Sequence, residues 1–183
     1  KEVLISSGSI ERPLVFGNND TPGVMLSSAA KEYMKVYGVL VGKKPLIFTN
    51  NDSGYETAIE FKKNGVNPLI LDTRKEPSSD IITEAKNLGI DIKFSYVVVA
   101  AKGYKKVKSA DIAKISENKK DLSNIENIEC DCICVSGFWT PSIHLASQSG
   151  NKSEFNEKID AFIPKKSKQK ENTIGSANGK FTL

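Results

Sequence analysis

The stretch PLIFTNNDSGYETAIEF, residues 45 to 61, runs from an apolar segment through a polar turn into a helix-like segment. Phosphates are held at such junctions by a G-x-G-x-x-G turn, in which each glycine has its own task. The first makes the turn, the second lets the backbone approach a pyrophosphate, and the third lets helix and strand pack closely. Here those positions are Thr49, Asn51 and Gly54. Gly54 keeps the packing task. Asn51 puts a side chain where a phosphate meets bare backbone, although Asn tolerates the unusual φ of such a turn. Asp52 adds negative charge where the helix N-terminus would favour an anion. Asp72 closes the next apolar run, about twenty residues on, where a carboxylate accepts from an adenine ribose hydroxyl. It is also a common residue at strand ends. The expectation is a nucleotide-type unit kept for its architecture, with weak or no nucleotide affinity.

Other residues with chemical potential carry weaker signals. Cys130, Cys132 and Cys134 form C-x-C-x-C, a spacing that puts all three on one face of a strand. Without a second ligand pair they read as small buried apolar side chains in a reduced compartment. His144 is the sole histidine, and Ser142, Ser147 and Ser149 have no base partner in sequence. A structural hydrogen-bonding role suits His144 better than catalysis, and Trp139 suits packing or a pocket wall. Glycine turns at strand ends, SSGS (6 to 9), SGFW (136 to 139) and IGSANG (174 to 179), are places where backbone could approach a ligand. No nucleophile elbow, P-loop or metal motif is present.

These residues need elements to position them. Residues 2 to 8 read as a buried strand feeding a turn, and 27 to 38 as a helix capped by Ser27 or Ser28 and stopped by Gly38. KPLIFTN, NPLILDT and IDIKFSYVVVAAKG read as strands, with helices over Ser53 to Asn64 and SSDIITEAKNLG between them. That order is βαβαβ, the pattern of a parallel sheet with crossover helices. A hairpin at Lys102-Gly103, a polar loop over 116 to 127 and a buried strand over 128 to 137 follow. A short helix after Pro141 and a terminal strand with a glycine-rich turn complete the chain.

At 183 residues and 39% hydrophobic, the chain suits one domain or two small lobes with a real core. No apolar run reaches the roughly 18 residues of a membrane helix. The start, Lys1-Glu2-Val3-Leu4-Ile5, reads like a strand interior and suggests a piece of a longer polypeptide. Net charge is +4, and Arg12 and Arg74 are the only arginines, so the arginine forks of nucleic-acid readers are scarce. The basic run PKKSKQKEN (164 to 172) reads as a solvated linker, with a polyanion contact as the alternative. Neither nucleic acid nor membrane is an expected partner.

Four stretches together resemble the alpha subunit of heterotetrameric sarcosine oxidase: SSGSIERPLVFGNNDTPGVMLSSAAKEYMKVYGV, FTNNDSGYETA, GFWTPSIHLASQSGNKS and GSANGKFTL. The likeness spans nearly the whole chain and includes the altered glycine turn. GFWTPSIHLASQSG is its most specific piece. It implies an α/β fold of the Rossmann-like FAD/NAD(P)-binding type: a parallel sheet with crossover helices plus a β-meander, as an inserted lobe within part of a split second dinucleotide domain. Residues 1–39 would be part of the split domain with a connecting helix, 40–127 the inserted lobe, and 128–183 the return to the split domain.

The resemblance also implies a function. In the family the alpha subunit holds a non-catalytic NAD in the split domain. FAD lies on the beta subunit and FMN between alpha and beta, and gamma and delta subunits complete the assembly. The complex oxidatively demethylates sarcosine to glycine, with hydrogen peroxide and a one-carbon unit for tetrahydrofolate as further products, and it is cytoplasmic. Ser7, Gly8, Gly175, Ser176 and Asn178 are the cofactor-binding residues carried over; no catalytic residue is. Related FAD domains end a late strand with Gly-Asp, whose carboxylate holds the flavin ribityl chain. Here Gly175-Ser176 stands there, which fits NAD rather than FAD. The isolated chain is expected to be inactive and to bind NAD poorly. Alternatives are an NAD(P)H-dependent flavoprotein reductase domain, a non-enzymatic subunit-docking module, or an oxidase acting on another secondary amine or an opine.

Overall fold

The computed structural model describes residues 2–118, 121–167 and 169–181. In chain order the strands are β1 (Val3–Ile5), β2 (Ser9–Glu11), β3 (Val24–Leu26), β4 (Pro45–Thr49), β5 (Leu69–Asp72), β6 (Asp91–Phe94) and β7 (Tyr96–Lys102). Then come β8 (Ser109–Lys114), β9 (Glu126–Glu129), β10 (Cys132–Ser136), β11 (Trp139–Pro141), β12 (Ser153–Asn156), β13 (Ala161–Pro164) and β14 (Glu171–Thr173). The α-helices are α1 (Ser27–Tyr37), α2 (Ser53–Lys63), α3 (Asp80–Asn87) and α4 (His144–Gln148). The chain divides into two compact units, one of residues 1–12 with 139–183 and the other of residues 13–138.

The larger unit is a layered α/β structure. Five strands pair in parallel in the order β3-β10-β4-β5-β6. Crossovers through α2 and α3 give β4, β5 and β6 their sequential order, as the βαβαβ pattern predicts. Parallel strands covered on both faces read as continuous apolar runs, and every residue of β4 and of β10 is buried. Alternation then sorts their side chains. Ile47, Cys132 and Cys134 pack with Ala30, Tyr55, Ala58, Phe61 and Ile82 of the helices. Leu46, Phe48, Ile133 and Val135 pack with Val98, Ala101, Ala110 and Ile112, residues of an antiparallel meander, β7-β8-β9.

Several elements differ in detail from the sequence expectations. The run 90 to 103 is two strands: Ser95 takes a positive φ of 59°, and the chain leaves β6 in the parallel sheet to enter β7 in the meander. The run 128 to 137 is also two strands, β9 and β10. Asp131 separates them, and its carboxylate accepts from the backbone N–H groups of Lys43 and Lys44, both at 2.8 Å. That break overturns the one-face expectation for the cysteines: Cys130 lies in the meander-side core, Cys132 and Cys134 in the helix-side core. All three are free and buried. Helix α1 begins at Ser27 with Leu26 at the cap position and no side-chain cap. Gly38 ends it in the left-handed conformation as expected. The unit boundaries fall at 12/13 and 138/139, and β3 and β10 are ladder partners in the sheet that holds β4. Residues 119 and 120 of the expected polar loop and 168 of the basic run lie outside the described residues.

The smaller unit pairs β1 with β14 in parallel, β2 with β11 antiparallel, and β12 with β13 in an antiparallel hairpin. The short helix α4 follows Pro141 as expected, and a 3-10 turn, Gly175–Asn178, follows β14. Among the described residues no helix is long and apolar enough to cross a membrane.

Two tests address the core of the larger unit. A Cβ on Gly54 would stand 2.7 Å from Thr49 Cβ and 2.8 Å from its hydroxyl, and Thr49 is buried on β4. Gly54→Ala should therefore lower stability by about 1–2 kcal/mol in urea unfolding, overpacking outweighing the gain in helix propensity. Burial, with the nearby Cys132, Asp131 and Glu129, pushes the Cys130 thiol from an ordinary 9.0 up to about 12. The unfolded chain thus releases this proton first as pH rises. Stability from this group is whole below pH about 9 and is lost as pH climbs toward about 12, by at most about 1.4 kcal/mol per pH unit. Cys130→Ala should flatten that slope between about pH 9 and 10, where an ordinary tyrosine is still protonated.

Candidate functional site

In open α/β sheets ligands settle outside the carboxyl ends of the strands, where the strand order switches direction. In the larger unit that place lies beyond β4 and β10. The Thr49–Ser53 turn is closed by its own side chains. Thr49 Oγ1 donates to Asn51 O at 2.8 Å and accepts from Asn51 N at 3.1 Å. The Asn51 amide is buried, and its Nδ2 donates to the backbone oxygen of Ser136 at 3.1 Å and to Ser136 Oγ at 3.2 Å. Its Oδ1 accepts from Ser53 N at 2.9 Å, capping the first N–H group of α2. That N–H is one of the donors a helix N-terminus would offer a phosphate.

Beside the turn lies an ionic network. Asp72 is fully buried. Its carboxylate accepts from Tyr55 Oη at 2.7 Å, from Arg74 N at 2.9 Å, and from Arg74 Nε and Nη2 at 3.1 and 2.8 Å. A carboxylate has about four acceptor positions, so these donors use up Asp72, and none is left for a ribose hydroxyl. Arg74 Nη2 also meets Asp52 Oδ1 at 2.8 Å. Burial opposes the guanidinium charge, but its hydrogen bonds to Asp72 and then to Asp52 outweigh it and hold Arg74 charged. Burial, and then the bond to Asp72, pushes the Tyr55 hydroxyl well above the ordinary tyrosine range. Sequence reasoning named Asn51, Asp52, Gly54 and Asp72 and missed Tyr55 and Arg74. The available signal was the scarcity of arginine together with its place two residues after Asp72.

In the smaller unit, β1 and β14 run side by side with Ile5 opposite Thr173, and Ile174 N donates to Ile5 O at 2.9 Å. Ser7 and Gly8 follow β1, and Gly175, Ser176 and Asn178 form the turn after β14. The five sequence-predicted cofactor residues therefore lie just past the same ends of two paired parallel strands. Gly8 and Gly175 have φ of 76° and 64°, and a Cβ on either would meet nothing within 4 Å. Backbone conformation, and not crowding, calls for glycine there. Ser7 Oγ donates to Ser142 O at 2.6 Å, and Ser142 N donates to Gly8 O at 3.0 Å. Ser7 thus ties the turn to the TPSI segment. Asn178 lines an open polar cavity of 240 Å³ with Asn151, Lys165, Ser167 and Thr173.

His144 is exposed at the start of α4. It lines a groove of 310 Å³ with Arg12, Ile143, Phe155 and Phe162, where Arg12 Nη1 donates to Asp160 O at 2.9 Å. Trp139 sits in β11 opposite Glu11. Among the described residues no group of three His, Cys, Asp or Glu side chains is placed to hold a metal ion.

The parallel sheet with crossover helices, meander and strand-end turns is a Rossmann-like FAD/NAD(P)-binding fold. Thioredoxin reductase of T. acidophilum superposes with a TM-score of 0.76 at 18% identity, covering 100% of this chain and 60% of that one. L-proline dehydrogenase from P. horikoshii superposes with a TM-score of 0.62 at 23% identity, covering 97% of this chain and 30% of that one. No family model matches the chain. Nearly the whole chain matches a segment of sarcosine oxidase subunit alpha, as the sequence resemblance implies. It is 30% identical to the subunit from Corynebacterium sp. (strain P-1) over 98% of its own length. It is 34% identical to the one from Rhizobium meliloti (strain 1021) over 88%. The chain spans less than a fifth of the length of these relatives, 19% and 15% respectively.

The ionic network sets a testable energy. Arg74→Ala leaves the Asp72 carboxylate buried with its counter-ion gone. It should lower stability by about 3 kcal/mol, the low end for a broken buried pair because Arg74 is partly exposed. Asp72→Asn in the same background should recover part of that loss in urea unfolding.

Proposed function

We propose that the chain is a segment of the alpha subunit of a multi-subunit sarcosine oxidase. The observation that carries this reading is the match to sarcosine oxidase alpha subunits along 98% of the chain. The complex would comprise alpha, beta, gamma and delta subunits in the cytoplasm. It would demethylate sarcosine to glycine, producing hydrogen peroxide and passing a one-carbon unit to tetrahydrofolate. The smaller unit would be part of a split dinucleotide domain that holds a non-catalytic NAD. Amine oxidation would be supplied by FAD on the beta subunit, with FMN between alpha and beta.

The turns past β1 and β14 suit an NAD held as scaffold. Gly8 and Gly175 offer backbone without a side chain in the way. Ser7 positions the first turn through Ser142, and Asn178 offers an amide from the wall of the polar cavity. Gly175-Ser176 supplies no carboxylate for a flavin ribityl chain, in favour of NAD. An NAD(P)H-dependent flavoprotein reductase is the second reading, favoured by the likeness in fold to thioredoxin reductase. The closed turn at Asn51 and the engaged Asp72 weigh against it.

The full-length subunit, co-expressed with beta, gamma and delta subunits, should generate hydrogen peroxide and glycine on addition of sarcosine and retain NAD on purification. Asn178→Ala should weaken NAD retention about tenfold, a loss of about 1.4 kcal/mol. Flavin instead of NAD in the split domain, or turnover only with another secondary amine or an opine, would overturn the cofactor or the substrate assignment respectively.

A further inference from the structure

We infer that the larger unit carries its own internal ligand: the Asn51 amide and the Arg74 guanidinium occupy, by their bonding, the places a dinucleotide would take, and so close this lobe to nucleotides. A bound dinucleotide would need donors at the start of α2 for its pyrophosphate and acceptor positions on the second strand's carboxylate for its ribose. Asn51 Oδ1 takes the first of these donors, Ser53 N, at 2.9 Å. Tyr55 and Arg74 take the acceptor positions of Asp72. Asp52 meets the same Arg74 Nη2 at 2.8 Å and sets a negative charge where a diphosphate would lie. The first N–H of α2 and the Asp72 carboxylate are thus satisfied without a ligand.

This inference names residues of the larger unit alone and does not depend on where NAD binds in the smaller one. It also assigns the pyrophosphate end of the closure to two side chains. Asn51 takes the first donor and Asp52 repels the phosphates, while Gly54 still permits the close approach of α2 to β4. Replacing both should reopen the phosphate end of the site on an otherwise intact scaffold, with Asp72 still held by Tyr55 and Arg74.

The test is a titration of the 183-residue chain with NADH, followed through backbone amide shifts. Wild type should show no saturable shift at residues 50–54 and 72–74 at millimolar NADH. Asn51→Gly/Asp52→Ser should show one, with affinity at least about tenfold tighter than the wild-type limit. Should the double variant unfold, Asp52→Ser alone carries the comparison, since Asp52 is partly exposed and forms no side-chain cap for α2. It should then show a shift where wild type shows none. Saturable wild-type shifts at 50–54 would overturn the inference, and so would a folded variant with none. Shifts at residues 7–8 and 175–178 report separately on the smaller unit, so failure of the NAD assignment there leaves this outcome readable.

Discussion

Both faces of a five-stranded parallel sheet must be kept from water, and most of the larger unit answers to that constraint. Helices cover one face and a three-stranded meander covers the other. The central strands β4 and β10 are consequently apolar at almost every position, and alternation decides only which layer each side chain joins. Changes of direction have to fall where the chain passes between layers. Ser95 turns it from sheet to meander, and Asp131 turns it back, each with a local device: a left-handed residue in one case, a carboxylate accepting two backbone donors in the other.

The same sheet leaves an opening at the carboxyl ends of its strands, and there the chain supplies its own polar filling. Desolvating Asp72 would be costly for an unpaired carboxylate. Tyr55 and Arg74 offset that cost, and Arg74 reaches on to Asp52 at the helix start. The network therefore links the β4–α2 turn to the end of β5 by side chains as well as by backbone. In the smaller unit the corresponding strand ends carry glycines with left-handed backbone and little side-chain filling. The two lobes treat the same architectural feature in opposite ways.

Much of this was legible in the residues. The βαβαβ order, the stops of α1 and β5, and the packing role of Gly54 follow from apolar periodicity and glycine punctuation, which are local signals. The splits at Ser95 and Asp131 were not legible. A continuous apolar run looks the same whether it lies in one sheet or passes between two, and Ser is an unusual choice for positive φ. The opposed faces of Cys130 and Cys132 were hidden for the same reason, since parity along a strand holds only while the strand is unbroken. At the site, the loss of two glycines marked the turn as altered. The partners that replaced the ligand were invisible, because Tyr55 reaches Asp72 across 17 positions of sequence and Asn51 reaches Ser136 across 85.

The break at Asp131 has a consequence for how motions of the larger unit could be observed. It places one thiol in the layer beneath the meander and two in the layer beneath the helices, within five residues of chain. Partial opening events expose cooperative blocks one at a time. Alkylation of Cys130 would clock the peeling of the meander, and alkylation of Cys132 and Cys134 the lifting of the helices. A single short peptide, recovered by digestion and weighed, would then carry a record of which layer came away first.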